Sequence, residues 1–106
     1  MGEKIFVKYV GDEGDIRLRF RISTRKGRPV GFLVQLEIAL GKGWKPVVRY
    51  DTAHGFAHRD VLSPTGKAIE KRALRLSTLE EALEYAEQDL TDRADWYVEN
   101  FRRMKR

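Results

Sequence analysis

The chain has 106 residues with 42% hydrophobic residues, enough for one hydrophobic core, so we predict a single domain over residues 1–106. It has no cysteine, which excludes disulfides, thiolate nucleophiles, zinc ribbons and iron–sulfur clusters. The formal net charge of +5 permits a polyanionic partner such as RNA but does not require one.

Alternating residues predict a series of strands in the first two-thirds of the chain. In residues 16–22 the apolar side chains share one face and three arginines share the other, which is typical of a strand with one face in a core. Further strands are predicted at residues 4–9, 32–40, 44–50, 54–61 and 67–72. Since no crossover helix separates them, we predict an α+β fold with an antiparallel meander sheet of five or six strands over residues 1–72.

The pattern becomes helical at Ser77-Thr78-Leu79-Glu80, a capping box in which Ser77 caps the first turn. No proline or glycine follows, so we predict one long helix over residues 77–104, packed on one face of the sheet. Such a helix is about 40 Å long, whereas a strand of eight residues spans about 26 Å. We therefore expect its end to overhang the sheet, carrying Trp96, Tyr97 and Phe101.

Residues 49–60, RYDTAHGFAHRD, hold both histidines and form the chemically densest segment. Histidine suits general acid–base catalysis because its reference pKa lies near neutrality. A nearby guanidinium would neutralise a substrate phosphate. The predicted catalytic residues are His54, His58 and Asp51, and the predicted phosphate-binding arginines of this segment are Arg49 and Arg59.

Two other interpretations of this segment stay open. On a strand, histidines four residues apart are separated by about 13 Å, too far to share a metal unless Gly55 bends the chain. With such a bend, His54 and His58 could bind a divalent metal together with Asp51 or Asp60. Alternatively the segment is architectural, with Asp51 bonded to the turn backbone and His58 paired with Asp60. We predict no resident metal and no cofactor.

Arg17, Arg19 and Arg21 should form a row on the exposed face of their strand, with a spacing of about 6.7 Å. Such a row could follow a phosphate backbone. Alternatively it is a solvated surface on which the arginines pair with glutamates of neighbouring strands, such as Glu37. A sheet that stacks nucleic-acid bases also needs exposed aromatic residues beside the arginines. Phe6 is the best candidate for that role in the sequence.

The segment 49–60 resembles the signature of a family of small, uncharacterised prokaryotic proteins with a strand-rich first part and a C-terminal helix. A looser similarity runs to the TumE-like toxins of prokaryotic toxin–antitoxin pairs. The residues that match the toxin segment in kind are Arg49, Asp51, Ala53, His54 and His58. The toxin segment is richer in histidine and proline than this one. The resemblance implies an RNA-related or toxin-like role.

Taken together, these patterns favour a small cytoplasmic protein that binds RNA or acts on it. The alternative is a non-catalytic protein–protein interaction module, working with a partner protein or as a homodimer through the C-terminal helix. The first hypothesis needs exposed histidines beside an arginine, and the second allows them to be locally satisfied. No apolar run approaches the roughly 20 residues of a membrane helix, so we expect no membrane association.

Overall fold

A computed structural model describes residues 1–53, 55–76 and 78–104. Within these ranges the chain forms β1 Gly2–Tyr9, β2 Ile16–Arg25, β3 Arg28–Leu40, β4 Gly43–Asp51, β5 His58–Leu62, β6 Ala68–Ala73, α1 Leu79–Asp92 and α2 Ala94–Arg103. The six strands form one antiparallel sheet in the order of the chain, which confirms the predicted α+β class and meander. No helix in the described part is long and apolar enough to cross a membrane.

Strand β2 shows how the alternation of the sequence fixes the two faces of the sheet. Its even-numbered residues Leu18 and Phe20 are buried beneath the helices, and its arginines lie on the other face. The hairpin to β3 closes through Lys26 and Gly27, both with positive φ (52° and 77°). This two-residue geometry matches the right-handed twist of the paired strands. A bulge between Ser23 and Thr24 then shifts the register by one residue, and it is this shift that places Arg19 opposite Gln35.

The hydrophobic core lies between the helices and one face of the sheet. Its fully buried sheet residues include Leu18, Val34, Leu36, Val48 and Tyr50, and its helical residues include Ala82, Ala86, Leu90, Tyr97, Val98 and Phe101. Each large apolar side chain contributes about 1.5–3 kcal/mol when it is fully buried. Alanines at the sheet-facing positions of α1 let that helix lie close to the strands.

The prediction of one helix over residues 77–104 was wrong, because the helix is interrupted at Arg93 (φ −109°, ψ 16°). The break lets α2 pack on the sheet instead of projecting beyond it. Tyr97 and Phe101 are each only 3% exposed, whereas Trp96 remains 52% exposed. Burial of two aromatic side chains outweighs the small cost of the interruption. A homodimer contact through this end of the chain stays a prediction.

The N-cap of helix α1 lies one residue after the first residue of the predicted capping box. Thr78 is the N-cap, with its Oγ1 accepting a hydrogen bond from the backbone N–H of Glu81 at 3.1 Å. The sequence holds the Ser/Thr-x-x-Glu pattern twice in succession, and the second copy is the one that caps the helix. Ser77 lies outside the described residues.

Candidate functional site

The face of the sheet that turns away from the helices, here called the open face, carries most of the predicted site residues. Cross-strand pairing from β2 to β5 places two rows of side chains on it. One row is Arg19, Gln35, Arg49 and Asp60, and the next is Arg21, Leu33, Asp51 and His58. Adjacent strands lie about 4.8 Å apart, so neighbours within a row are in contact range. Residues predicted from two distant segments therefore share one surface.

Glu37 on β3 is the centre of a cluster on the open face. Its carboxylate accepts hydrogen bonds from Arg17 Nε at 2.8 Å, Arg19 Nε at 3.0 Å and Gln35 Nε2 at 2.5 Å. Arg49 Nε in turn donates to Gln35 Oε1 at 2.8 Å. The predicted alternative, in which the arginines pair with glutamates of neighbouring strands, is confirmed for all three. Arg17 and Arg19 pair with Glu37 on β3, and Arg21 pairs with Glu3 on β1 at 2.9 Å.

These contacts determine the ionisation of Glu37, which is 4% exposed. Burial would raise its pKa, but the hydrogen bonds from Arg17, Arg19 and Gln35 outweigh burial and hold the pKa below its usual value. Glu37 is therefore a carboxylate at neutral pH, and it fixes two guanidinium groups at defined positions. An arginine has five N–H donors, so one bond to Glu37 leaves most of its donors for other acceptors.

Aromatic residues do lie beside the arginines, but Phe6 is not one of them. Its ring stacks on Phe20 with centroids 4.6 Å apart, on the helix-covered face. The aromatic residues of the open face are Tyr9 and Trp44, whose rings meet edge to face at 6.2 Å. The Arg17 guanidinium carbon lies 4.0 Å from the centroid of the Trp44 ring. Strand alternation alone could not predict this group, because the position of Trp44 beside Arg17 depends on how β4 pairs with β3.

Local contacts hold Asp51 and His58 of the histidine segment in place. His58 opens β5, and its Nε2 lies 2.8 Å from Asp51 Oδ1. Its Nδ1 lies 3.4 Å from the carbonyl oxygen of Phe56. The predicted bond of Asp51 to the turn backbone is confirmed by the Ala53 N–H, which donates to Asp51 Oδ1 at 3.3 Å. His58 therefore pairs with Asp51, whereas the predicted partner was Asp60.

His54 lies outside the described residues, so the alternative in which a bend at Gly55 brings it to His58 stays a hypothesis. Among residues 1–53, 55–76 and 78–104, no three His, Asp or Glu side chains are grouped closely enough to hold a metal ion. Both ring nitrogens of His58 approach oxygen acceptors, so His58 would have to release one of these contacts to exchange a proton with a substrate.

Arg59 is not brought together with the other site residues. It lies on the helix-covered face, is 9% exposed, and donates through Nη1 to the hydroxyl of Tyr97 at 3.0 Å. Its Nη2 donates to Glu70. Burial would lower its pKa, but the interactions with Tyr97 and Glu70 outweigh burial and raise the pKa. In this position Arg59 supports the core and is remote from the open face.

Arg59 belongs to a buried polar network that the sequence did not reveal. The hydroxyls of Tyr50 and Tyr97 both donate to Asp89 Oδ2, at 2.7 and 2.6 Å. Burial, together with the bond to Asp89, raises the pKa of Tyr97 to about 12 and raises that of Tyr50 as well. The network links β4, β5, α1 and α2, and it holds the helices over one face so that the other stays accessible.

Charge is divided unevenly between the sheet and the first helix. Residues 1–76 carry 16 Lys and Arg against 8 Asp and Glu. Helix α1 carries six Asp and Glu and no Lys or Arg. The excess of Lys and Arg is not concentrated on the open face, since Lys4, Lys8 and Arg59 lie on the helix-covered face and other cations lie in the turns. From β1 to β5 the paired residues of the open face include four arginines and four carboxylates, namely Arg17, Arg19, Arg21, Arg49, Glu3, Glu37, Asp51 and Asp60.

A family described as a domain of unknown function, DUF7718, matches the chain over residues 1–106. No curated protein and no solved structure matches it. The whole-chain match agrees with the predicted uncharacterised family, and the resemblance of the histidine segment to TumE-like toxins stays a prediction. The family description names no activity, so function has to be argued from the geometry of the open face.

Proposed function

We propose that this chain, which belongs to the DUF7718 family of unknown function, is an RNA-binding protein whose open face is the binding surface. The observation that carries the proposal is the set of arginines held on that face, two of them by the buried carboxylate of Glu37. RNA is bound through cations, and an arginine held by a carboxylate loses less conformational freedom when it binds a phosphate.

The spacing of the arginines suits a polyphosphate chain. Arg17, Arg19 and Arg21 alternate along β2, about 6.7 Å apart, and Arg49 lies two strands away in the same row as Arg19. A guanidinium binds phosphate oxygens through two parallel N–H donors. An RNA strand can therefore contact several of these cations at once, which is the source of affinity in sequence-independent binding.

The division of charge favours one mode of approach. The exposed acidic residues of α1 repel a polyanion from the helical side; they are Glu80, Glu81, Glu84 and Asp92. On the open face, Arg17, Arg19 and Arg21 offer it a row of cationic contacts. Because α1 repels RNA from the helix-covered side, approach to the arginine row of the open face is favoured.

RNA cleavage is the second candidate function, favoured by the position of the Asp51–His58 pair on the open face next to Arg49. RNA bound to the arginines would pass close to this pair, and His54 is the predicted second acid–base group. Because both ring nitrogens of His58 approach acceptors, we rank binding above cleavage. RNA recovered from the binding experiment below is expected to be intact on a denaturing gel.

The test is the salt dependence of RNA affinity, measured by fluorescence anisotropy of a labelled, mixed-sequence, single-stranded RNA. The Arg19→Gln/Arg21→Gln variant removes two proposed phosphate contacts. Its plot of log K against log salt is expected to be shallower than that of the unmodified protein by about 1.4, since each contact to a single strand contributes about 0.7.

The matched control is Arg102→Gln/Arg103→Gln, which removes the same charge from the exposed end of α2. It should leave the salt dependence nearly unchanged. Circular dichroism and thermal unfolding must show that both variants are folded. An equal effect of the two variants would mean that only net charge matters, and absence of binding by the unmodified protein would refute the proposal.

A further inference from the structure

We infer that the corner of the open face formed by Tyr9, Arg17 and Trp44 stacks an unpaired base, so that the RNA bound is single-stranded. The inference rests on the proposed function and adds the class of RNA to it. Its basis is the geometry of three side chains at one end of the sheet, where β1 ends and β2 and β4 begin.

The three side chains form a continuous group of flat surfaces. The Arg17 guanidinium carbon is 4.0 Å from the centroid of the Trp44 ring, and the Tyr9 ring meets Trp44 edge to face. Arg17 is also held by Glu37, so its position is fixed from two sides. Aromatic rings and arginine guanidinium planes are the surfaces on which proteins stack unpaired bases.

Within this corner Tyr9 is the exposed member, whereas Trp44 and Arg17 are half-buried. Tyr9 is 56% exposed although it carries a large apolar ring, and Ile5 and Val7 beside it on β1 are exposed too. Such a surface next to a row of arginines offers stacking and phosphate binding within one strand length. The net charge of +5 and the neighbouring arginine row of β2 favour an anionic occupant over a neutral apolar one.

A duplex does not fit this corner. In A-form RNA the bases are stacked inside the helix, and its accessible surface presents phosphates and ribose hydroxyls. Flat side chains on a sheet gain nothing from that surface, whereas a single strand can place a base on them while its phosphates follow Arg19 and Arg21. Electrostatic binding alone would accept both forms of RNA.

The chain has two tryptophans, one on each side of the sheet, and this provides a matched pair of reporters. In Trp96→Phe, Trp44 on the open face is the only tryptophan, and in Trp44→Phe, Trp96 on α2 is the only one. Both variants are titrated with a 12-nucleotide RNA without self-complementarity, and with the duplex it forms with its complement. Tryptophan fluorescence and the anisotropy of a 3′ label are read in parallel.

The single strand should quench Trp44 emission in Trp96→Phe and leave Trp96 emission in Trp44→Phe unchanged. The duplex should quench Trp44 far less. A Tyr9→Ala/Trp44→Ala variant should bind the single strand roughly 5- to 100-fold more weakly, whereas Trp96→Ala should not. Together these results would support the inference.

Three outcomes would overturn it. Anisotropy that shows binding without quenching of Trp44, or equal quenching by the duplex, would leave the proposed function standing and remove base stacking. Absence of any RNA binding would remove both. A Trp44 emission that changes with protein concentration but not with RNA would mean that a second copy of the chain covers the corner.

Discussion

Each face of the sheet has one carboxylate at the centre of a hydrogen-bonded cluster, Asp89 on the helix-covered face and Glu37 on the open face. The donors to Asp89 are the hydroxyls of two buried tyrosines, and those to Glu37 include the guanidinium groups of two arginines. Both carboxylates are nearly inaccessible to solvent. Both clusters are therefore built from hydrogen bonds to a carboxylate. The tyrosine donors to Asp89 are buried, whereas the arginine donors to Glu37 are partly exposed.

The difference shows how one interaction can serve stability on one face and recognition on the other. Around Asp89 the two hydroxyl donors are buried between sheet and helices, and the half-exposed Arg93 pairs with the same carboxylate within the helical layer, so these contacts act on the fold. Around Glu37 the donors are arginines with further N–H groups at the surface. The buried carboxylate of Glu37 holds the guanidinium groups above it in defined positions. These arginine side chains therefore lose less conformational entropy when they bind a phosphate.

Loss of the charge on Asp89 is the largest expected effect. Asp89→Asn removes the charged acceptor that Tyr50 and Tyr97 share, and it leaves a buried amide donor next to hydroxyls. We expect the free energy of unfolding to fall by about 3 kcal/mol, since hydrogen bonds to charged groups are worth about 1.5–3 kcal/mol each. Urea unfolding followed by circular dichroism measures it.

Asp95→Asn is the control for that change, because Asp95 is an exposed acidic residue in the first turn of α2. Its effect should stay within about 0.5 kcal/mol. A loss of less than about 1 kcal/mol in Asp89→Asn would contradict the central role given to the buried network.

The covered network should also make the fold sensitive to alkali. The pKa of Tyr97 is about 12 in the folded chain, above the ordinary value of 10.0. The unfolded chain therefore loses this proton first, and stability that is complete below pH 10 falls as the pH rises toward 12. By pH 12 the contribution of Tyr97 to that fall is about 2 kcal/mol.

Stability measured by urea unfolding at several pH values between 9 and 12 tests this linkage. Tyr97→Phe should show a smaller fall than the unmodified protein, although it is less stable at neutral pH. Tyr9→Phe, which changes a hydroxyl on the exposed edge strand, should show the full fall. An identical pH dependence in all three proteins would exclude Tyr97 as a source of it.

The sequence predicted what depends on local periodicity. The two faces of β2 follow from the alternation of its own residues. The break at Arg93 had no local signal, because neither proline nor glycine marks it. It arises from tertiary burial of Tyr97 and Phe101, which helix propensity does not describe.

The candidate site was predicted in part for the same reason. Arg17, Arg19 and Arg21 were assigned to one surface correctly, because they belong to one strand. The partnership of Asp51 with His58 and the meeting of Tyr9 with Trp44 depend on register between strands. Register is set by turns and bulges, such as the bulge between Leu36 and Glu37, whose position the sequence does not state.

Removal of the charge at Glu37 should have a smaller effect than at Asp89, because its arginine partners remain partly solvated. Glu37→Gln should lower the free energy of unfolding by about 1–2 kcal/mol at pH 7. The control Glu3→Gln breaks the exposed pair with Arg21 and should cost less than about 0.5 kcal/mol.

The pH dependence distinguishes this ion cluster from a simple packing effect. Because the pKa of Glu37 is lowered in the folded chain, its contribution is complete above the ordinary value of 4.5 and is lost as the pH falls through the folded value. The stability difference between the unmodified protein and Glu37→Gln should therefore shrink in urea unfolding below pH 4.5. A difference that stays constant from pH 7 to pH 3 would mean that Glu37 acts through its shape and not through its charge, and the arginines of the open face would then lack their electrostatic anchor.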